Sequence, residues 1–234
     1  MKRGKKYQAV AKLVERDKLL APLAALQLLP QTKRAKFDES VDLAIKLDVD
    51  TVKNPSIRGT VVLPAGSGKT KKVAVITSPG RVKEAEDAGA SIAGGTDLIE
   101  KIKGGFFDFD IVIASPDMMG EVGKLGKILG TKGLMPNPKA GTVTPEIAKS
   151  VAEFRGGKVE FKMDKGGAVH LGIGKVSFPA EKLHQNLKAV IAAVSHAKPS
   201  GHKGGAFIRS VTVSTTMGPG IKIDPRNAVE EATA

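Results

Sequence analysis

Cysteine and tryptophan are absent from this 234-residue chain, tyrosine occurs once, and aromatic residues make up 4 % of it. Without cysteine there can be no disulfide, thiolate zinc site, iron–sulfur cluster or thiol nucleophile, and the cytosol is the natural compartment. So few aromatics argue against a platform on which successive bases of a single strand stack. Long hydrophobic runs are missing too. The longest, Leu19 to Leu29, is too short for a bilayer, contains Gln27 and is broken by Pro22. Lys2, Arg3, Lys5 and Lys6 are followed by the mixed stretch Tyr7 to Lys18, not by the apolar centre of a secretory leader. A soluble chain without a membrane partner is expected.

What is abundant is positive charge. There are 37 Lys+Arg against 24 Asp+Glu, a net +13, with 41 % hydrophobic residues to build a core. Two glycine-rich joints, Pro64 to Gly68 and Gly156-Gly157, divide the chain. The block between them holds 13 cations and 11 acids, a net +2, whereas the flanks hold 24 and 13, a net +11. This points to two surfaces with different electrostatics, the basic one suited to a polyanion.

Periodicity changes at the same joints. In the flanks Val41, Leu43, Ile45, Leu47 and Val49 alternate with polar residues and predict a strand with one wet face. Residues 158–163, 168–173 and the Val211/Val213 segment predict shorter strands of the same kind. A helix is expected after Phe178, with Pro179 near its first turn, reaching about His196, with Leu183, Leu187, Val190, Ile191 and Val194 on one face. A further helix carrying Tyr7, Val10 and Val14 should pack on this flank unit. The middle block has continuous apolar runs at 73–76 and 111–114, with helices expected near 82–88, 117–129 and 145–154. That is the pattern of a parallel sheet covered on both faces. The fold class expected is therefore a discontinuous α+β domain with an antiparallel sheet, residues 1–65 and 158–234. It carries an inserted α/β domain, residues 66–157, and Gly66, Gly68, Gly156 and Gly157 provide a two-strand hinge.

Enzymatic motifs are thin. Gly66-Ser67-Gly68-Lys69-Thr70 imitates the end of a phosphate-binding loop. Leu63 stands where that loop needs its first glycine, and a strand follows where it needs a helix. His170, His184, His196 and His202 show no metal-ligand spacing, and Asp108 and Asp110 read as a polar strand entry. Gly172-Ile173-Gly174 lacks the third glycine of a dinucleotide fingerprint and reads as a bend ending a strand. No catalytic residue, metal or cofactor is expected.

Three stretches suit an interaction surface. Residues 33–40 combine Lys33, Arg34 and Lys36 with an exposed-looking Phe37, able to neutralise phosphates and fill a groove, although the cations would equally suit a basic helix end. Residues 162–167 form a glycine turn with Lys162 and Lys165 at its tip, or simply a solvated hairpin loop. Residues 210–220 end a hydroxyl-rich strand in a turn that cannot continue the ladder. Its small hydroxyls and free backbone amides suit ribose and phosphate groups of a folded RNA. In the middle block, residues 130–141 read as one long loop stiffened by prolines.

These residues carry a resemblance. Lys36 to Asp42, Gly130 to Thr144 with its Gly-Leu-Met-Pro-Asn-Pro-Lys-Ala-Gly-Thr-Val-Thr core, and Thr215-Thr216-Met217-Gly218-Pro219 resemble the bacterial L-one family of ribosomal proteins, collinearly over nearly the whole chain. The resemblance implies a split β-α-β first domain with an inserted Rossmann-like domain. It also implies a cytoplasmic, ribosome-bound component of the large subunit's mobile stalk, lying beside other large-subunit components; a monomer off the ribosome is the simplest expectation. Implied partners are 23S rRNA, exit-site tRNA, whose release it would assist, and the chain's own operon mRNA, whose translation it would repress. Implied rRNA-binding positions are Lys36, Phe37 and Ser40, the turn with Lys162, Asp164 and Lys165, and Thr216, Met217 and Gly218.

Overall fold

The alternation that begins at Val41 sets the centre of the first sheet. A computed structural model describes residues 4–15, 17–51, 57–199 and 205–233. In chain order the helices are α1 (Lys5–Ala11), α2 (Pro22–Thr32), α3 (Val82–Asp87), α4 (Thr96–Lys103), α5 (Met119–Gly123), α6 (Gly126–Thr131), α7 (Ile147–Arg155), α8 (Ala180–His196) and α9 (Pro225–Thr233). The strands are β1 (Ser40–Leu47), β2 (Arg58–Val62), β3 (Val73–Ile76), β4 (Ile92–Gly94), β5 (Ile111–Ala114), β6 (Lys158–Lys162), β7 (Ala168–Lys175), β8 (Ile208–Thr215) and β9 (Gly220–Ile223). The chain divides into two compact units, Met1–Gly68 with Val159–Ala234, and Lys69–Lys158.

In the first unit a four-stranded sheet runs in the order β7-β1-β8-β9, with every pairing antiparallel. Val41, Leu43, Ile45 and Leu47 on β1 are fully buried and share one core with Leu26 and Leu29 of α2 and Leu183, Leu187 and Val190 of α8. The helices thus cover one face of the sheet, which is why its strands alternate. Pro179 is the N-cap of α8, and Pro22 opens α2 instead of merely breaking an apolar run. A separate two-stranded sheet pairs β2 with β6.

Several sequence expectations change here. The strand at 208–215 does not end its ladder at the Thr216–Pro219 turn, because β9 returns and pairs Ser214 with Gly220. Gly172-Ile173-Gly174 is not a terminal bend: β7 continues to Lys175, and the register slips there, so that Val41 faces Gly174 while Asp42 faces Gly172. Helix α1 is short and buries no residue, and the buried Val14 lies beyond its end.

The second unit holds a three-stranded parallel sheet in the order β4-β3-β5. All four residues of β3 are buried. Ala74 and Ile76 pack with α4, α5 and α6, whereas Val73 and Val75 pack with α3 and α7, so both faces are covered. Strand β4 and helix α4 were not legible, and the helix expected at 117–129 splits into α5 and α6. The expected 130–141 loop begins inside the last turn of α6 and contains a 3-10 turn at Pro138–Ala140. Thr142 and Thr144 tie this loop to Ala114 at the sheet edge, through Ala114 N to Thr142 O at 2.9 Å and Thr144 N to Ala114 O at 3.3 Å. Residues 66–70 lead into β3 with no helix, so the phosphate-loop geometry is absent. Among the described residues no helix is long and apolar enough to cross a membrane, and no group of three His or acidic side chains could hold a metal.

Candidate nucleic-acid interface

Antiparallel pairing decides which of the three basic or hydroxyl-rich stretches meet. Ser40 opens β1, and the loop after β8 folds back beside it. Thr216 Oγ1 accepts from Ser40 N at 3.0 Å and donates to Ser40 O at 3.3 Å, while Thr216 N donates to Ser40 O at 3.0 Å. Between these loops lies Glu39, which is fully buried. Its carboxylate accepts from Arg34 N at 2.9 Å, Ala35 N at 2.6 Å and Met217 N at 3.1 Å. Burial alone would raise this carboxyl, but the amides of Ala35, Arg34 and Met217 outweigh it and hold the group below its ordinary value. One buried anion therefore ties the segment carrying Lys36 and Phe37 to the segment carrying Met217.

At this end the side chains of Phe37 and Met217 stand 55 % and 44 % exposed, and Lys36 is exposed beside them in sequence. Lys175, at the end of β7, reaches Ser40 Oγ at 3.1 Å and Asp38 O at 3.3 Å, which adds a cation that the sequence reading missed. Asp38 accepts from Ser177 Oγ at 2.7 Å and so holds the following loop. Lys33 is the C-cap of α2 and so stands at the helix end, whereas Arg34 and Lys36 lie beyond it and no cation falls within its last turn. The expectation of free amides in the 216–218 turn is corrected. The amides of Thr216, Met217 and Gly218 donate to Ser40 O, Glu39 Oε2 and Thr215 O respectively. Gly218 is required sterically, because a Cβ there would collide with Thr215 Oγ1 and lie 3.3 Å from Thr32 O.

A family model decides the identity: the Ribosomal protein L1p/L10e family matches residues 29–219. The chain belongs to this family. Its members are structural, non-enzymatic ribosomal proteins, and membership gives the chain a ribosomal structural role in the large subunit with rRNA as its partner. Both loops at the Ser40 end lie inside the matched range, as does the third stretch.

That third stretch does not join the Ser40 cluster. β7 pairs Ala168 with Lys46 and Lys175 with Ser40. The 162–167 turn therefore sits at the opposite end of β1, six residues or about 20 Å away. Lys162 and Lys165 are exposed there. Asp164 builds the turn, since its Oδ1 accepts from Ala168 N at 2.8 Å and its main chain exchanges bonds with Ala168 and Gly167. The Ala168 amide is the chief cause that keeps the Asp164 carboxyl below its ordinary value. The four joint glycines also have definite settings. Gly66 has φ 73° and its carbonyl accepts from Asn186 Nδ2 at 3.0 Å, while Gly68 has φ 69°. Gly156 caps α7, and Gly157 has φ 110°. Asn186 itself is buried and bonds Ala65 N at 2.9 Å and Ile173 O at 2.7 Å as well.

Proposed function

We propose that this chain binds 23S rRNA at the mobile stalk of the large subunit through the Ser40 end of its first unit, with Lys36, Phe37, Ser40, Thr216, Met217 and Gly218 in contact. Lys162 and Lys165 at the far turn neutralise backbone phosphates, while Asp164 shapes that turn. The observation that carries the reading is the Glu39 junction. It presents two exposed apolar side chains, Phe37 and Met217, on loops tied by hydrogen bonds to the buried Glu39 carboxylate, beside the cations Lys36 and Lys175. Apolar side chains held rigidly next to phosphate-neutralising lysines suit a folded RNA with unstacked bases, not a featureless polyanion.

In this reading the first unit is one discontinuous α+β domain of split β-α-β type, and the second is a Rossmann-like domain inserted into it. Gly66, Gly68, Gly156 and Gly157 serve as the hinge at the two crossings. The protein works as a cytoplasmic, ribosome-bound component beside other large-subunit elements. It assists release of exit-site tRNA and represses its own operon mRNA by binding a similar fold; off the ribosome it is a monomer. The test is binding to a structured stalk fragment of 23S rRNA and to an unrelated hairpin across a salt series. Discrimination at physiological salt that Met217→Ala abolishes is expected. Equal, steeply salt-dependent binding to both RNAs would overturn the reading.

A further inference from the structure

The four-stranded sheet leaves one face uncovered. Helices α2, α8 and α9 all contribute to the core on the other side. On the open side β1 turns out Asp42, Ala44 and Lys46, and β8 turns out Ser210, Thr212 and Ser214. His170 and Gly172 of β7 lie across from them, since Ala44 pairs with His170 and with Thr212. Small side chains leave a shallow depression of about 370 Å³ here, lined by Asp42, Ala44, His170, Gly172 and Ser214.

A register slip shapes one end of this face. β1 pairs Lys46 with Ser210 but Leu47 with Ile208, so Arg209 is an extra residue on β8. Ile208 and Val211 both remain buried, and consequently Arg209 and Ser210 are both exposed on the same side. The turn after β6 leans over the same edge: Lys46 Nζ donates to Gly166 O, and His170 Nε2 lies 3.6 Å from Asp164 Oδ2. Lys46, Lys165 and Arg209 thus gather at one end of the face, about 20 Å from Lys36 and Lys175 at the other.

We propose that this open face docks the minor groove of a double-stranded RNA segment, an inference that rests on the rRNA-binding reading above and extends it to new residues. Cations at both ends reach phosphates of the two strands, and Arg209 is the bulge-directed member. Between them Ser210, Thr212, Ser214 and the Asp42 carboxylate meet ribose 2′-hydroxyls, which both donate and accept. The wide, shallow minor groove of A-form RNA needs a surface without tall side chains, which this face provides. A run of stacked single-strand bases is disfavoured as occupant, since no Phe, Tyr or Trp is among the residues named on this face and His170 is the one ring there.

The test uses the full chain with the 23S stalk fragment, and with the same fragment carrying 2′-deoxy nucleotides in its helical segments. Arg209→Ala should flatten the slope of log K against log salt by about 0.7 to 0.9, the share of one phosphate contact. Thr212→Val, nearly isosteric, should weaken binding about three- to tenfold on the ribose fragment and leave the deoxy fragment unchanged. Thermal melting checks that each variant stays folded. If both variants match the wild type while Met217→Ala still loses discrimination, the face is not in contact and the proposal falls, with the loop-end reading intact. If the wild type does not distinguish the stalk fragment from an unrelated hairpin, the underlying reading fails and this proposal fails with it.

Discussion

Replacing Glu39 by Gln tests whether one buried carboxylate organises the recognition loops. Oε1 accepts two amides, from Arg34 and Ala35, and Oε2 accepts the Met217 amide. An amide side chain can keep one oxygen for the first pair, but it then points an NH2 donor at the Met217 N–H. The loss is one charge-assisted hydrogen bond, worth about 1.5–3 kcal/mol, plus the cost of leaving a donor opposed in a buried place. A destabilisation of about 3 kcal/mol follows, which for a unit of this size lowers Tm by about 6–12 °C. The pH dependence has a definite sign. The folded pKa of Glu39 is depressed, so its stabilisation is fully present above the unfolded value near 4.5 and disappears as pH falls through the lower folded value. Wild type and variant should therefore converge on acidification. Calorimetry from neutral to acid pH, with the exposed Glu160→Gln as control, reads both effects. A Tm shift below about 2 °C at pH 7, or a difference that persists unchanged into acid, would refute the argument.

Gly218→Ala should cost about 1–3 kcal/mol by forcing a methyl against Thr215 Oγ1 and Thr32, seen as a lower denaturation midpoint with unchanged m-value. Asn186→Ala removes three hydrogen bonds from a fully buried amide and should lower stability by about 2–4 kcal/mol in urea unfolding. A loss under 1 kcal/mol would mean that water replaces it freely. Lys36→Ala and Lys175→Ala should each flatten the salt dependence of stalk-RNA binding by about 0.7 to 0.9 without abolishing discrimination, and parallel salt plots would remove those lysines from the interface.

Periodicity revealed the elements whose residues bury by a simple rule. The alternation of β1, the stripe of α8 and the continuous runs of β3 and β5 stand in the structure close to where their patterns place them. What escaped is set by partners distant in sequence. β4 is only three residues long, and β9 hides behind Gly218-Pro219-Gly220, which locally reads as a stop. The glycines Gly123 and Gly126 cut one expected helix into two. An acid before a strand gives no local sign of burial; Glu39 accepts from the nearby Arg34 and Ala35 amides and from the Met217 loop, which arrives 178 residues later. Lys175 and Arg209 likewise owe their places to register slips that no local pattern announces. The distance between the Ser40 cluster and the 162–167 turn follows from pairing alone.

The strand order also fixes a timetable for synthesis. β1 lies at the centre of the first sheet, yet both its neighbours, β7 and β8, follow residue 167. Leu20 makes bonds to Lys222 and Asp224, so the outer edge closes only with the final helix still to come. Residues 69–158 form a contiguous unit with their own sheet and two cores, and can fold as soon as they leave the tunnel. On a nascent chain the later-named unit therefore matures first, while the hydrophobic stripe of β1 waits unpaired for about 120 residues. That interval exposes Val41 to Leu47 to wrong partners, and the waiting strand is where chaperone protection matters most.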